Sequence, residues 1–400
     1  MNLNSGYPFW LIKDGLPYTF PKLDCNKTVD VAIIGAGISG ALVRYFLLKA
    51  GVSCVTLDAR TIGLGSTSGS TSLLQYEIDT PLHRLIPKVG KQQAERAYHL
   101  CNDAILTLEH IAAALDFTEF ESRSSLYFAA YKKDRSFLQQ EFEARKAAGF
   151  DVSLLEEAQV RQQYGFEAPS AILSRHGAQT NAYAFTHRLL QYKKGKSLDV
   201  YDRTAVVKTE QQRNGVVLHT EQGFRVKAKR VVYATGYEVV ELIDKKIVDL
   251  QSTYAVVSEQ YPDRAAFWKD EVLLWNTADP YLYLRTTPDG RIIAGGRDER
   301  FHQHTKRDRL IPQKAKQLAA DVQKLFPDLH FKTEFTWTGT FGATKDGLPY
   351  IGVYDKVPNS YFALGFGGNG ITFSVVAAQI ITELVQGKKN EDAPIFAFDR

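Results

Sequence analysis

Six residues, Gly35-Ala36-Gly37-Ile38-Ser39-Gly40, carry the G-x-G-x-x-G spacing of a turn that can hold a pyrophosphate. The first glycine permits the tight turn, the second lets the backbone approach the phosphates, and the third lets helix and strand pack closely. A helix opening at such a turn offers unpaired N–H groups and its positive dipole end to the anion. Asp58 ends the next apolar run and is followed by Ala59 and Arg60, which places a carboxylate where it accepts ribose hydroxyls. The chemistry these residues suit is dinucleotide binding.

Two further glycine turns follow apolar runs. Ala234-Thr235-Gly236 comes after Arg230-Val231-Val232-Tyr233, and Gly365-Phe366-Gly367-Gly368-Asn369-Gly370 comes after Tyr361 to Leu364. The second cannot start another nucleotide unit, because only 30 residues remain beyond it. It reads either as a plain tight turn or as a helix N-terminus set against an electron-rich ring, where the dipole would stabilise an anionic reduced flavin. One complete dinucleotide unit leaves NAD alone or FAD alone. The Ala-Thr-Gly turn, a second strand-end turn near the same phosphates, favours FAD.

Candidate substrate residues come from strand periodicity. Tyr281, Tyr283 and Arg285 alternate with Leu282 and Leu284, so they share one face; two phenols and a guanidinium there would cover a flavin and hold an anion, or would face solvent as cross-strand pairs. Tyr254 lies on a neighbouring strand. Tyr254, Tyr283 and Arg285 are therefore the candidate substrate-orienting residues. Gln75, Tyr76 and Glu77 follow the loop 61–72 and either line the other end of a pocket or begin the next segment. His302 and His304 sit among Arg and Gln in a loop, and no metal site is expected.

These residues need positioning elements. Val29 to Ile34 reads as a buried strand, Ser39 to Ala50 as a helix stopped by Gly51, and Val52 to Leu57 as a second strand, the size of one β-α-β crossover. Residues 80–165 read as mostly helical, 199–236 as strands with a hairpin at Asn214-Gly215, 250–300 as strands, and 311–325 and 371–385 as helices. The chain has 400 residues, 44% hydrophobic and 24% charged, which excludes disorder and disulfide-scaffold classes. A net charge of +4, with no dense basic block, argues against a nucleic-acid partner. The lysines at 193, 194 and 196 read as a solvated turn. Three cysteines without ligand spacing suggest a reduced, cytoplasmic protein, and no transmembrane segment or signal peptide is expected.

Taken jointly, these stretches resemble the D-amino-acid oxidase superfamily of FAD-dependent oxidoreductases, which includes glycine oxidase, sarcosine oxidase and γ-glutamylputrescine oxidase. The resemblance runs through Trp10, the fingerprint at 30–58, Gly65-Ser66-Thr67, Leu73-Leu74-Gln75, 204–207, 234–236, 344–352 and 365–372. It implies an α/β fold: a Rossmann-like FAD-binding domain from residues 1–79, 170–245 and 339–400, with a mixed α+β substrate domain inserted as 80–169 and 246–338. It further implies that Ser66 and Thr67 flank the pyrophosphate. Ser72, Leu73 and Leu74 would pass along the isoalloxazine, and Val206 would meet adenine. Gly368, Asn369, Gly370, Ile371 and Thr372 would surround the pyrimidine edge. Where sarcosine oxidases carry a tethering Cys this chain has Gly339, so FAD is expected to be non-covalent. Where glycine oxidase-like enzymes place carboxylate-binding arginines it has Phe341 and Gly368, which puts simple α-amino acids in doubt. The implied activity is oxidation of an amine or N-substituted amino acid, a small-molecule substrate, with O2 as acceptor. The alternatives are a dehydrogenase passing electrons to a quinone or protein, and an FAD-binding protein without catalysis.

Overall fold

The computed structural model describes residues 2–193, 198–238 and 243–400. The expected lysine turn falls largely outside them. Two sheets organise the chain. In the smaller, the strand Lys27–Ile34 is central, with Val31, Ala32 and Ile33 wholly buried. It runs parallel to Cys54–Leu57 on one side and Arg225–Tyr233 on the other. Near-continuous apolar runs are what a parallel strand covered on both faces requires. Register pairs Ile34 with both Leu57 and Tyr233, so the chain leaves all three strands at one edge. Gly35, Asp58 and Ala234 meet there, although they are far apart in sequence.

Helices Ile38–Lys49, Lys91–Ala114, Ala182–Gln191 and Gly370–Val385 share the main hydrophobic core with one face of this sheet. The antiparallel hairpin Val206–Gln212 and Gly215–Thr220 contributes to the core on the other. By length and composition Gly367–Val385 passes for a membrane span, but 67% of it is buried inside the protein, as befits a core helix.

Among the described residues the larger sheet has ten strands. Its centre is built from Thr333–Ala343, Asp249–Ser258, Ile292–Glu299 and Leu282–Thr286, antiparallel throughout. One face packs with helix Ile311–Leu325 around Leu126, Val256, Leu284, Leu318 and Val322; the other turns toward the edge where the nucleotide-type turn lies. Two strands, Phe120–Phe128 and Val152–Glu156, interrupt the region expected to be mostly helical. The first begins Phe-Glu-Ser-Arg-Ser-Ser, too polar to show a buried face. It is held by pairing with Ser170–Thr180, a partner its own sequence does not reveal. Membership of the larger sheet also extends to Asn4–Gly6, Leu73–Leu74 and Ser170–Thr180.

Candidate active site

A continuous cavity of about 730 Å³ runs from the strand-end edge of the smaller sheet to the underside of the larger one. At its first end, Gly35 adopts φ 101°, and a Cβ there would strike the Ala234 carbonyl. Gly40 sits directly on the Gly35 carbonyl, with no room for a side chain. Both therefore serve the close approach of helix, turn and strand. Gly37 does something else: it caps the helix Ile38–Lys49 without a side chain of its own and lines the cavity. The Ile38 N–H is donated to Thr67 Oγ1 at 3.1 Å. Asp58 accepts the Ala36 N–H at 2.7 Å and the Arg60 N–H at 2.8 Å. Burial pushes its carboxyl upward, opposed by those two N–H donors. Arg60 pairs with Glu238 at the same end.

The loop 65–74 forms the next stretch of wall. It contains a short helical turn, Ser66–Gly69, and two indoles hold it from behind. Trp10 donates to the Ser70 carbonyl at 2.7 Å and Trp337 to the Gly69 carbonyl at 2.8 Å. Ser72 takes the left-handed conformation, φ 59°. Opposite, the turn 365–369 delivers the chain into helix Gly370–Val385, whose first residues, Gly370, Ile371 and Thr372, line the cavity. Asn369 ties the two walls together by donating to the Gln75 and Glu77 carbonyls at 3.1 and 2.7 Å. Ser39 and Ser374 meet at 2.7 Å, so the two helix N-termini open side by side.

Most of the residues expected to hold a cofactor stand in this wall: Gly35, Gly37, Ile38, Ser39, Asp58, Ala59, Arg60, Gly65, Ser66, Thr67, Ser72, Leu73, Val206, the turn 234–236 and the run 368–372. Gly40 and Leu74 lie behind it as packing residues.

The substrate-side expectations divide. Tyr281 and Tyr283 line the cavity, their ring centroids 5.6 Å apart. Burial raises both phenols, Tyr283 to about 12. Arg285 shares their face but is displaced one step further along the strand, into the protein. Its guanidinium is buried, donates to the carbonyls of Thr71, Ser72, Thr180 and Thr286, and lies over the Trp10 ring. Burial with no carboxylate partner lowers it to about 9. Arg285 thus fixes the cavity loop from outside rather than reaching into the cavity. Tyr254 points the other way, into the core on the opposite face of the sheet, and donates to the Arg307 carbonyl. Its neighbour Thr253 faces the cavity instead, as the two-residue period of a strand demands. Gln75 lines the wall. Tyr76 stacks on Phe150 and Glu77 pairs with buried Arg145, both in the core.

Two carboxylates escaped the sequence reading. Asp298, on Ile292–Glu299, lines the cavity beside Thr253. Asp79 accepts the Gly368 N–H at 2.8 Å. The only available signal was Gly295-Gly296 inside a strand, which marks a close approach: a Cβ on Gly295 would overlap the Tyr283 phenol.

The cavity fits a dinucleotide with a planar ring system. Thr235 Oγ1 is buried in it without a hydrogen-bond partner, and Gly37 leaves backbone exposed where phosphates approach. Residues 30–384 match the DAO family, described as FAD dependent oxidoreductase, and the chain belongs to that family. It is 22% identical to the gamma-glutamylputrescine oxidoreductase of Escherichia coli (strain K12), an alignment covering 92% of this chain and 86% of that one. It is 20% identical to the glycine oxidase of Bacillus subtilis (strain 168), covering 92% and 96%. Among solved structures, glycine oxidase from Geobacillus kaustophilus superposes with a TM-score of 0.75 at 18% identity, covering 94% of this chain and all of that one. The protein is an FAD-dependent oxidoreductase with the fold of that family.

Proposed function

We propose that the protein oxidises an amine or N-substituted amino acid at the carbon next to nitrogen and passes the electrons to O2. The observation that carries this reading is the second end of the cavity. The cofactor channel continues under a sheet face bearing Thr253, Tyr281, Tyr283 and Phe341, with Asp298 beside them, a largely aromatic enclosure. FAD, when bound, accepts a hydride at N5.

The chain's own residues would act by placement. Gly35 to Gly40, Asp58 and Thr67 would hold the nucleotide half, and Ser72, Leu73 and residues 368–372 the ring half. Tyr281, Tyr283 and Phe341 exclude water and favour the neutral amine, since desolvation lowers an ammonium pKa. Only the neutral amine can release the hydride: the C–H bond breaks, its electron pair leaves with the hydrogen, and the nitrogen lone pair forms the C=N bond. Loss of the N–H proton, if one is present, gives the imine, and water hydrolyses it to a carbonyl compound and an amine or ammonia. Two electrons and two protons passed to O2 give hydrogen peroxide.

The test is peroxide release by the holoenzyme across primary and secondary amines, glycine and sarcosine. Amine-dependent peroxide, with one carbonyl formed per O2 consumed, is expected. Flavin reduced by amines but reoxidised only by a quinone would replace oxidase by dehydrogenase. Flavin reduced by none of them would overturn the reading.

A further inference from the structure

Two carboxylates stand at the far end of the cavity, Asp298 in its wall and Asp79 just behind the wall residue Gly368. Glycine stands at position 368, and the space a side chain would occupy is filled by a carboxylate: a Cβ on Gly368 would lie 2.5 Å from Asp79 Oδ1 and 3.4 Å from the Tyr281 hydroxyl. Asp79 is solvent-accessible yet surrounded by protein; burial raises its carboxyl, and the Gly368 N–H partly offsets this. Asp298 contributes the second carboxylate. Its Oδ1 is buried with no hydrogen-bond partner while the residue forms part of the cavity wall; the Thr253 hydroxyl beside the carboxyl favours its charged form but leaves that oxygen unpaired.

Both carboxylates act electrostatically on Tyr281, so the three groups form one neighbourhood. No lysine or arginine among the described lining residues opposes them there. Arg60 and Lys208 belong to the strand-end side, next to Asp58 and Val206. The cation that bears on Asp298, Lys314, is already paired with Glu299 and lies over Tyr254 on the other side of the sheet. A buried carboxylate oxygen with no donor is costly unless a ligand supplies one. A ligand carboxylate placed here would meet like charge, whereas an ammonium would receive charge-assisted hydrogen bonds and two phenol rings.

Building on the amine-oxidation reading, we propose that the substrate is a diamine-class molecule, an amine bearing a second cationic nitrogen and no free carboxylate at that end. Asp79 and Asp298 bind the second nitrogen, beside Tyr281, while the reacting amine stays neutral under Tyr283 and Phe341. The two carboxylates are positioning residues, and their charge separates this substrate from monoamines and amino acids.

The holoenzyme is assayed anaerobically for flavin reduction by 1,4-diaminobutane, n-butylamine and 4-aminobutanoate, alike in chain length but differing in the distal group. A kcat/KM for the diamine about ten-fold or more above both others is expected. Asp79→Asn and Asp298→Asn should each erase most of that preference by raising KM for the diamine, while n-butylamine changes by less than about two-fold. Asn keeps an acceptor for the Gly368 N–H, so the turn is preserved. Binding is read independently by calorimetric titration of the dithionite-reduced holoenzyme with 1,4-diaminobutane, a dication that keeps its N–H donors and that the reduced flavin cannot oxidise. Kd should rise about ten-fold in either variant.

Equal rates for diamine and monoamine, a preference for 4-aminobutanoate, or variants that slow both amines alike would overturn the proposal and leave amine oxidation standing. If none of the three reduces the flavin, amine oxidation fails. The dication titration then decides the cation site alone: carboxylate-dependent binding upholds it, and no binding overturns it.

Discussion

Arg285 shows how one residue's surroundings decide what its charge does. Four backbone carbonyls accept from its guanidinium, two of them from the cavity loop at Thr71 and Ser72. Removing it would leave buried acceptors unpaired, so Arg285→Ala should lower stability by roughly 2–4 kcal/mol. Thermal unfolding of the apoprotein checks this; unchanged stability would mean that water replaces the guanidinium. Asp298 carries the opposite kind of cost. Burial raises its carboxyl from the ordinary 3.8 to about 6. A carboxyl whose folded pKa is raised destabilises the fold above that pKa, and the penalty fades as pH falls from about 6 toward 3.8. Asp298→Asn should therefore stabilise the apoprotein at pH 7 by up to about 3 kcal/mol. The gain should shrink steadily toward pH 4, and a pH-independent difference would contradict the assigned ionisation.

At the scale of elements, the turn Gly35–Gly40 works because two of its glycines are consumed by packing and one by the ligand. Gly37→Val should fold, since the nearest obstacle to a Cβ is the Thr67 hydroxyl at 2.9 Å, but should lose FAD because the side chain enters the phosphate space. Gly40→Val should instead fail to fold, since its Cβ would meet the Gly35 carbonyl. Asp58→Ala should fall between them: FAD binding weakens by roughly 1.5–3 kcal/mol, while the Ala36 and Arg60 N–H groups lose their common acceptor. Flavin absorbance per protein, with circular dichroism as the folding control, separates the three. The loop 65–74 depends on a different device, two indoles and one guanidinium reaching in from separate parts of the chain.

For the whole molecule, the cavity between the sheets makes cofactor and stability interdependent. Gly339 lies in the cavity wall, while Cys25 is exposed and Cys54 and Cys101 are buried outside the lining. FAD held without a covalent bond should leave the protein on acid precipitation, and flavin retained in the pellet would refute non-covalent attachment. Added FAD should also raise the unfolding temperature of the apoprotein, by the equivalent of about 2.7 kcal/mol at a hundred times Kd.

The residues by themselves determined the nucleotide half. The fingerprint, Asp58 and the 234–236 turn are local signals, because a strand, a glycine turn and a helix are contiguous in sequence and each position has a steric reason for its residue type. Non-local pairing decided the rest. Periodicity placed Tyr281, Tyr283 and Arg285 on one face, but only the packed structure shows where along that face the cavity ends, leaving Arg285 inside the protein. On Asp249–Ser258 a shift of a single residue separates Thr253 in the wall from Tyr254 in the core, and a strand's pattern does not say which of its two faces covers a ligand. Asp79 and Asp298 lie 219 positions apart in the chain, and nothing in their neighbours' sequence marks them as partners. The larger sheet places Asp298 in the cavity wall and the 365–370 turn holds Asp79 behind Gly368, next to it, and only that packing gives their charge its meaning.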